Sequence, residues 1–323
     1  MENILLIRLK SIGDVVLTLP AVHVVRDNFP SAKITFLTSK ENAVLLRGFR
    51  EVDAVIALDR AALRGGNPLK AVPEFFGLLR RLRAGKFSLV VDFQGYGETA
   101  WLARLTGATR RWGSVYSTGF RPAYTHGVKR DDKMQIADSH LSLLQQCGLQ
   151  TGTVRNDFLL PPEPLAAARR FFFEQKLDPA KPVLFIQAFT SSPQKNWPLE
   201  NFLALAEHFR AAGTQVVFCG GPKDVEALLP ARAAGFTIAA GLPLLDAAGV
   251  MQLSTVVVGG VTGLLHLAVA MQKRVVMLVA SPAREPGLPF QHKNWIVGPA
   301  EKGIKKISLE DVVAACARAF SEQ

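Results

Sequence analysis

Cysteine is scarce in this sequence, and its three residues lie far apart without the spacing of a metal site: Cys147, Cys219 and Cys316. This pattern excludes a disulfide framework and indicates reduced thiols in the cytoplasm. The amino terminus also lacks a basic segment followed by an apolar one, so we expect no secretion signal.

Long uninterrupted apolar runs are missing as well. The most apolar span, residues 239–271, contains Pro243, Asp246, His266 and several glycines. A transmembrane helix needs about 20 predominantly apolar residues in one run. The span therefore predicts the core of a domain and not a membrane helix.

The composition is that of a globular protein whose first half is basic. The 323 residues are 49% hydrophobic and 20% charged, and this length predicts two domains. Residues 1–160 hold 22 Lys and Arg against 14 Asp and Glu, whereas residues 161–323 hold 16 against 13. We expect the first half to meet an anionic partner. Nucleic acid is the usual partner of a basic domain, but no nucleic-acid motif is present, and a phosphorylated small molecule or an acidic membrane surface fits as well.

Apolar strands alternate with amphipathic helices along the whole chain, which predicts the α/β class with parallel sheets. In the first half we expect strands at 3–9, 33–38, 54–58, 89–93 and 110–113, and helices at 13–29, 70–83, 98–105 and 137–147. In the second half we expect strands at 182–187, 215–219, 237–239, 255–259 and 275–279, and helices at 199–212, 224–234, 244–253, 262–271 and 309–320.

A proline cluster at 159–164 cannot continue a helix and predicts an interdomain linker. We therefore expect two doubly wound parallel-sheet domains, residues 1–160 and 161–323. Their carboxyl edges could face each other across a cleft, where such folds bind ligands. The last helix, 309–320, could pack back on the first domain.

The loop after the first strand carries an ionisable group at this edge of the sheet. Ser11 and Gly13 form the loop, and Asp14 lies within the first turn of the following helix. A carboxylate there can serve a ligand site, or it can simply complement the positive end of the helix dipole. The residues alone favour the second interpretation, because acidic residues are common in a first helical turn.

Two strand-to-helix loops of the second half carry groups that can bind a phosphorylated ligand. Thr190, Ser191 and Lys195 follow one strand, where Lys195 could neutralise a phosphate oxygen or could be an ordinary solvated lysine. Asp224 follows Gly220-Gly221, where it could accept from a ribose hydroxyl or cap the next helix. Capping is the better interpretation of Asp224 by itself.

A third loop, Gly259-Gly260-Val261-Thr262-Gly263, leads into a helix that contains His266. Glycines at such a turn let backbone N–H groups approach an anion closely. The pattern is looser than the nicotinamide dinucleotide fingerprint and lacks its acidic partner. A lone histidine in an apolar helix is more often a core residue than a ligand.

These loops together resemble a known family. The four motifs are KSIGDVVLTLP at 10–20, TSSPQKNWP at 190–198, GGPKD at 220–224 and TGLLHLA at 262–268. They occur in the order seen in the bacterial heptosyltransferases of glycosyltransferase family nine, and the resemblance covers nearly the whole chain. The first and last motifs are the specific ones.

The resemblance implies a GT-B fold of two Rossmann-like domains, the first holding mainly the acceptor and the second the nucleotide sugar. The implied donor is ADP-heptose, ADP-L-glycero-β-D-manno-heptose. The implied acceptor is the Kdo-lipid A core of lipopolysaccharide at the cytoplasmic face of the inner membrane. We therefore expect a cytoplasmic enzyme with peripheral membrane contact, and no nucleic acid partner.

The resemblance also implies roles for single residues in an inverting displacement. Asp14 becomes the general base, and Lys195 with the Thr262-Gly263 turn stabilises the departing diphosphate. A helix N-terminus and the nearby Lys10 would depress the pKa of Asp14. The remaining implied donor-binding residues are Gly13, Thr190, Ser191, Asp224 and His266. The sequence has no Asp-x-Asp triplet, the common carboxylate pair for a nucleotide-bound metal, so we expect no metal cofactor.

Three arginines match the acceptor-binding positions of the family, and one residue departs from its last motif. Arg60, Arg64 and Arg121 match basic positions that the family uses toward phosphate and Kdo carboxylate groups, although any one could be ordinary surface charge. The family usually has Asp directly before the Thr-Gly of the last motif, where this chain has Val261. Three explanations stay open: an altered donor, an active enzyme that supplies the contact elsewhere, or a non-catalytic relative that binds a nucleotide or an anionic glycolipid.

Overall fold

The computed structural model describes residues 2–65, 67–280, 290–299, 301 and 303–322. The chain forms two compact units, Met1–Asp157 and Phe158–Gln323, and each unit is built on one six-stranded sheet. The junction lies close to the predicted boundary after residue 160. The predicted α/β class with two doubly wound, Rossmann-like parallel sheets is therefore confirmed.

The first unit has strands β1 Asn3–Ile7, β2 Lys33–Ser39, β3 Ala54–Leu58, β4 Leu89–Asp92, β5 Arg110–Val115 and β6 His126–Lys129. Its helices are α1 Ile12–Val16, α2 Leu19–Asn28, α3 Arg60–Arg64, α4 Pro68–Ala84, α5 Gly97–Leu105 and α6 Ile136–Gln146. The second unit has strands β7 Val183–Gln187, β8 Gln215–Gly220, β9 Thr237–Ala240, β10 Val256–Gly260, β11 Arg274–Leu278 and β12 Ile296–Val297. Its helices are α7 Pro162–Glu174, α8 Leu199–Ala211, α9 Leu229–Ala233, α10 Leu244–Leu253, α11 Gly263–Ala270 and α12 Leu309–Ser321.

The paired strands of both sheets are parallel, and the first strand of each unit lies in the middle of its sheet. The orders are β3-β2-β1-β4-β5-β6 and β12-β11-β10-β7-β8-β9. The order therefore reverses beside β1 in the first sheet and beside β7 in the second. Ligands of such sheets bind outside the carboxyl ends of the strands at this switch point. Asp14 follows β1 and Thr190 follows β7, so both lie at the switch point of their own unit.

Buried side chains of strands and helices form the core of each unit. In the first, Leu5 and Val90 of the sheet pack with Leu78 and Leu82 of α4, and α2 packs against α6. In the second, one core cluster joins the sheet to α8 and α12. The residues that α12 contributes are Val312, Ala315, Cys316 and Ala319, so this last helix completes the core of its own unit.

The structure corrects three predicted elements. The helix expected at 13–29 is two helices, because Pro20 lies at the start of α2 and has no N–H to continue the helical ladder. The proline cluster expected as a linker supplies the first turn of α7, where proline is favoured. The helix expected at 224–234 shrinks to Leu229–Ala233.

Among the described residues, no helix is long and apolar enough to cross a membrane.

Candidate active site

Asp14 lies at the carboxyl edge of the first sheet, in the first turn of α1. The backbone N–H of Ser11 donates to its Oδ2 at 2.9 Å, so Asp14 closes the turn that follows β1. The side chain is nevertheless 26% exposed. The capping and the ligand-binding interpretations are therefore compatible, because one carboxylate oxygen caps the turn while the group still reaches solvent.

Arg8 is the charge partner of Asp14. Its Nη2 lies 2.9 Å from Asp14 Oδ2, and the arginine side chain is only 5% exposed. Two further N–H groups of Arg8 donate to the carbonyls of Lys10 and Phe93, which fix the guanidinium in place. The charge that faces Asp14 is therefore that of Arg8 and not that of Lys10, the residue that the sequence indicated. The Lys10 ammonium lies instead 5.7 Å from the centre of the Tyr96 ring.

Arg8 decides the protonation state of the candidate base. Burial raises the pKa of the Asp14 carboxyl, but the charge of Arg8 and the Ser11 N–H outweigh it and hold the pKa below its ordinary value. Asp14 is therefore a carboxylate at neutral pH. A carboxylate in this state can accept a hydrogen bond from a sugar hydroxyl and take its proton as the bond to carbon forms.

A buried network under the β1 loop orients it. Gln94 Oε1 accepts from the backbone N–H groups of Leu9 and Lys10, at 2.9 and 3.2 Å. Gln94 follows Asp92, whose carboxylate accepts from the Gln94 N–H and from the hydroxyl of Tyr124. Burial raises the pKa of Asp92. The end of β4 thus holds the loop that presents Asp14.

His140 is a buried histidine of α6 whose environment includes Arg8 and Asp14. Burial and the charge of Arg8 lower its pKa to about 3, so the imidazole is neutral at neutral pH. Its Nδ1 lies 3.2 Å from the carbonyl oxygen of Leu17 and can donate to it in the matching tautomer. Sequence reasoning missed His140, since only tertiary contact brings α6 against the end of α1.

The predicted acceptor arginines occupy two different settings. Arg60 and Arg64 lie on the short helix α3, and both contact the carboxylate of Glu98 at 3.1 and 3.0 Å. Arg60 is mostly buried, whereas Arg64 is 61% exposed. Arg121 is exposed, and no ion pair of it occurs among the described residues. Glu98, which the sequence analysis missed, fixes the first two and reduces their net charge.

The loop after β7 is shaped by its own hydroxyl and amide groups. The Thr190 hydroxyl donates to Asn196 Oδ1 at 2.8 Å, and the Thr190 backbone N–H donates to the same oxygen. This closes a turn that leaves Ser191 and Lys195 exposed. Lys195 is therefore a solvent-exposed charge at the carboxyl end of β7, which agrees with both the ligand-binding and the solvated-lysine interpretations.

Two glycines at the end of β10 let this loop approach the neighbouring strand. A Cβ on Gly260 would lie 2.8 Å from Thr190 Cγ2 and 3.0 Å from the Lys195 carbonyl oxygen. The Thr262 hydroxyl then caps α11 by accepting from the Leu265 N–H. The structure thus brings the Thr190–Lys195 loop together with Thr262 and Gly263, at the N-terminus of α11, where an anion is favoured.

The other three predicted donor residues occupy three different settings. His266 is half-buried one turn into α11, and its N–H donates to the Thr262 carbonyl. Asp224 Oδ2 accepts from the Gly221 N–H at 2.8 Å, which closes the short turn at Pro222–Asp224. It does not cap the next helix, because α9 begins only at Leu229. Gly13 lies in α1 of the first unit. In the parts of the chain that the structure describes, no three His, Cys, Asp or Glu side chains form a group that could hold a metal ion.

Known proteins are similar to this chain in sequence and in fold. The family model described as glycosyltransferase family 9 (heptosyltransferase) matches residues 75–313. Lipopolysaccharide heptosyltransferase 3 of Escherichia coli is 27% identical over 217 residues. That alignment covers 65% of this chain and 61% of the relative's own length.

Solved structures extend the likeness of fold to the whole chain. A glycosyl transferase family 9 structure from Veillonella parvula covers 100% of this chain and 98% of its own, with a TM-score of 0.88 and 22% identity. The heptosyltransferase WaaC of E. coli, solved with ADP, covers 98% and 99%, with a TM-score of 0.77 and 21% identity. The family predicted from the four loop motifs is confirmed by the family model: the chain belongs to glycosyltransferase family 9, the heptosyltransferases.

Proposed function

We propose that this protein transfers a heptose from ADP-heptose to the inner core of lipopolysaccharide, with inversion at the anomeric carbon. The acceptor hydroxyl oxygen attacks that carbon as the bond to the diphosphate oxygen breaks, and Asp14 takes the hydroxyl proton. The observation that carries the proposal is the ionised, partly exposed Asp14 carboxylate at the switch point of the first sheet.

The donor side rests on the groups after β7 and β10. The departing ADP carries two negative charges or more, and the Lys195 ammonium with the N-terminus of α11 can stabilise them as the bond breaks. Fixed donors of this kind can replace a metal ion in that role. Family membership and the ADP in the WaaC structure support ADP-heptose as the donor.

The acceptor side rests on the basic first half of the chain. Arg121 and the exposed Arg64 can bind phosphate or carboxylate groups of an anionic glycolipid, with Arg60 held beside Arg64 by Glu98. Such a lipid lies in a membrane, so we expect peripheral contact with the cytoplasmic face of the inner membrane. An exposed apolar stripe on α4, formed by Leu69, Val72 and Phe76, offers a surface for this membrane contact.

Val261 favours one alternative, in which the protein uses a different nucleotide sugar. A valine at this position cannot accept a hydrogen bond, so it removes a polar contact to the sugar that the family's usual Asp provides. A non-catalytic relative is a weaker alternative, because a protein that only binds needs no ionised base beside the acceptor. Val261→Asp should raise donor affinity or turnover if the position faces the sugar; no change in either would show that it does not.

The direct test is a transfer assay with purified protein, ADP-heptose and a Kdo-lipid A acceptor. We expect release of ADP and a β-to-α change at the anomeric carbon by NMR, with the rate unchanged in EDTA. Calorimetry with ADP, UDP and GDP should favour ADP. Preference for UDP or GDP would support the altered donor, and binding of ADP-heptose without any transfer would support the non-catalytic relative.

A further inference from the structure

Four side chains form a row along the carboxyl edge of the first sheet. Lys10 follows β1, Tyr96 follows β4, Tyr116 follows β5 and Arg130 follows β6. These four strands are neighbours in that order. Residues far apart in the sequence therefore lie side by side, on the same edge as Asp14.

Contacts between the four are close enough to define one surface. The Tyr96 and Tyr116 ring centres lie 4.9 Å apart with planes inclined by 40°. The Lys10 ammonium is 5.7 Å from the first ring, and the Arg130 guanidinium carbon is 4.6 Å from the second. Cations stabilise aromatic faces in this geometry. We call the two rings with Lys10 and Arg130 the tyrosine platform.

The rings of the platform are open to solvent. Tyr96 is 42% exposed and Tyr116 is 41% exposed. The part of each ring that Lys10 and Arg130 leave uncovered can pack against the slightly positive C–H groups on one face of a pyranose. Burial raises the pKa of the Tyr116 hydroxyl to about 12, so it stays protonated and can donate to a sugar oxygen.

Arg130 provides unpaired donors beside the rings. Its Nε and Nη1 are buried and have no hydrogen-bond partner within the described part of the chain. The same side chain lines a cavity of about 60 Å³ together with Lys129, Ser114 and Ser139. Buried charged donors without partners are costly, and a carboxylate or phosphate oxygen would satisfy them. The cavity is too small for a sugar ring and suits a charged substituent.

One carboxylate, Asp131, also lines this cavity. It accepts from the backbone N–H of Lys133 at 2.9 Å, and no ion pair with Arg130 occurs among the described residues. The lining therefore carries two cations and three serine hydroxyls, including that of Ser142, against one carboxylate that already accepts a hydrogen bond. The net positive charge of this lining favours binding of an anion.

We propose that the tyrosine platform binds an anionic pyranose, with the sugar ring stacked on Tyr96 and Tyr116 and its acidic group bonded to Arg130. Its identification as the acceptor sugar rests on the proposed function, because the platform shares the edge that presents Asp14. Binding itself does not depend on transfer.

The experiment measures binding of two probes to the full-length protein by saturation-transfer NMR titration. Glucuronate is the anionic pyranose, and glucose is the matched neutral one. We expect glucuronate to bind about tenfold more tightly than glucose, and Arg130→Gln to remove that difference. Arg170→Gln, at an exposed arginine of the second unit, should keep it.

The tyrosines separate stacking from charge. Tyr116→Ala should weaken both sugars several-fold, whereas Tyr116→Phe should keep the stacking contribution. Should Arg130→Gln fail to fold, Arg130→Lys replaces it, with the preference for glucuronate reduced but present. Equal binding of the two sugars by the wild type, or a preference that survives Arg130→Gln, would overturn the proposal.

The titration contains no nucleotide-sugar donor, so its result does not depend on whether the protein transfers a sugar. If transfer occurs but Tyr96→Ala and Tyr116→Ala leave the acceptor KM unchanged, the platform is not the acceptor site although the enzyme is active. If glucuronate binds as expected and no donor supports transfer, the result supports the sugar-binding platform and contradicts the proposed heptosyltransferase activity.

Discussion

Arg8 is the residue on which the chemistry of Asp14 depends. Burial alone would favour the protonated acid, and a protonated Asp14 could not act as a base. The guanidinium at 2.9 Å reverses that preference. The same interaction makes the carboxylate a weaker proton acceptor, so the site combines full ionisation with modest basicity.

Replacing Arg8 should move the acid limb of the pH–rate profile. Activity needs ionised Asp14, so kcat/KM falls as the pH drops through the pKa of its carboxyl, which the wild type holds below the ordinary value. In Arg8→Gln the lowering charge is lost while burial remains, so we expect the limb to shift upward by about one to three pH units. The profile of kcat/KM against pH measures it.

Lys10→Gln is the comparison for this variant, because sequence reasoning placed the charge there. We expect its acid limb to move less than that of Arg8→Gln. A larger shift in the lysine variant would show that the ammonium, and not the guanidinium, controls Asp14.

At the scale of elements, the carboxyl end of β10 has no room for a side chain at Gly259 and little at Gly260. A Cβ on Gly259 would lie 2.5 Å from the Gln187 carbonyl oxygen of β7, which is backbone and cannot move aside easily. The two glycines therefore allow the β7 and β10 loops to converge beside α11. Any side chain there would push the donor loops apart.

Gly259→Ala should lower the free energy of unfolding by about 1–3 kcal/mol through overpacking. The matched control is Gly77→Ala in α4, where a Cβ would meet nothing within 4 Å. That change should raise the free energy of unfolding by about 0.5–1 kcal/mol, because alanine is the better helix former. Urea unfolding monitored by circular dichroism measures both, and equal effects would contradict the packing argument.

Helix α4 carries an apolar stripe that its own unit does not cover. Leu69 is 84% exposed, Val72 is 51% exposed and Phe76 is 62% exposed, on the face opposite the buried Leu78 and Leu82. Arg80 and Arg83 continue the stripe by helical spacing. An apolar segment followed by basic residues is typical of a surface that contacts anionic lipid.

Leu69→Ser with Phe76→Ser should weaken binding to phosphatidylglycerol-containing vesicles roughly tenfold, because both side chains lose burial in the lipid interface. Co-sedimentation measures this without any sugar donor. Phe173→Ser removes an exposed ring from the second unit and should leave vesicle binding unchanged. Undiminished binding of the double variant would exclude α4 as the contact surface.

At the scale of the whole molecule, the proposed base and most of the proposed donor-binding groups belong to different units. The Lys195, Asp224 and Thr262 loops all lie in the second unit, whereas Asp14, Gly13 and the candidate acceptor arginines lie in the first. ADP alone should therefore slow amide hydrogen exchange at residues 190–196, 221–224 and 262–266, and leave residues 60–64, which carry two of those arginines, unchanged. Mass spectrometry with and without ADP measures the pattern, and protection confined to the first unit would contradict the assignment.

Much of this architecture could be predicted from the sequence, because long apolar strands in a parallel sheet leave a clear pattern. The strand at Ala54–Leu58 and the helix at Leu244–Leu253 have the predicted bounds. Strands β6 and β12 were missed, since edge strands of four and two residues carry little apolar signal. The short helix α3 was also missed, because it buries no residue fully.

The candidate site could be predicted only where local motifs contain it. Asp14, Lys195 and Thr262 follow strands in recognisable loops, so spacing locates them. Gln94 acts through a contact between strands that the sequence separates by more than 80 residues. Arg8 is only six residues from Asp14, but the hydrogen bond that fixes its guanidinium goes to the carbonyl of Phe93, 85 residues away. No local pattern indicates such pairs, because strand order decides them.

The central claim is that Asp14 accepts the acceptor proton, and Asp14→Asn tests it most directly. The amide keeps the size of the side chain but cannot take a proton, so we expect transfer to fall by about 10²–10⁴-fold. Affinity for ADP should stay within about twofold by calorimetry, and Asp27→Asn, at an exposed carboxylate of the same unit, should transfer at the wild-type rate. Transfer by Asp14→Asn at more than a tenth of the wild-type rate would contradict the account.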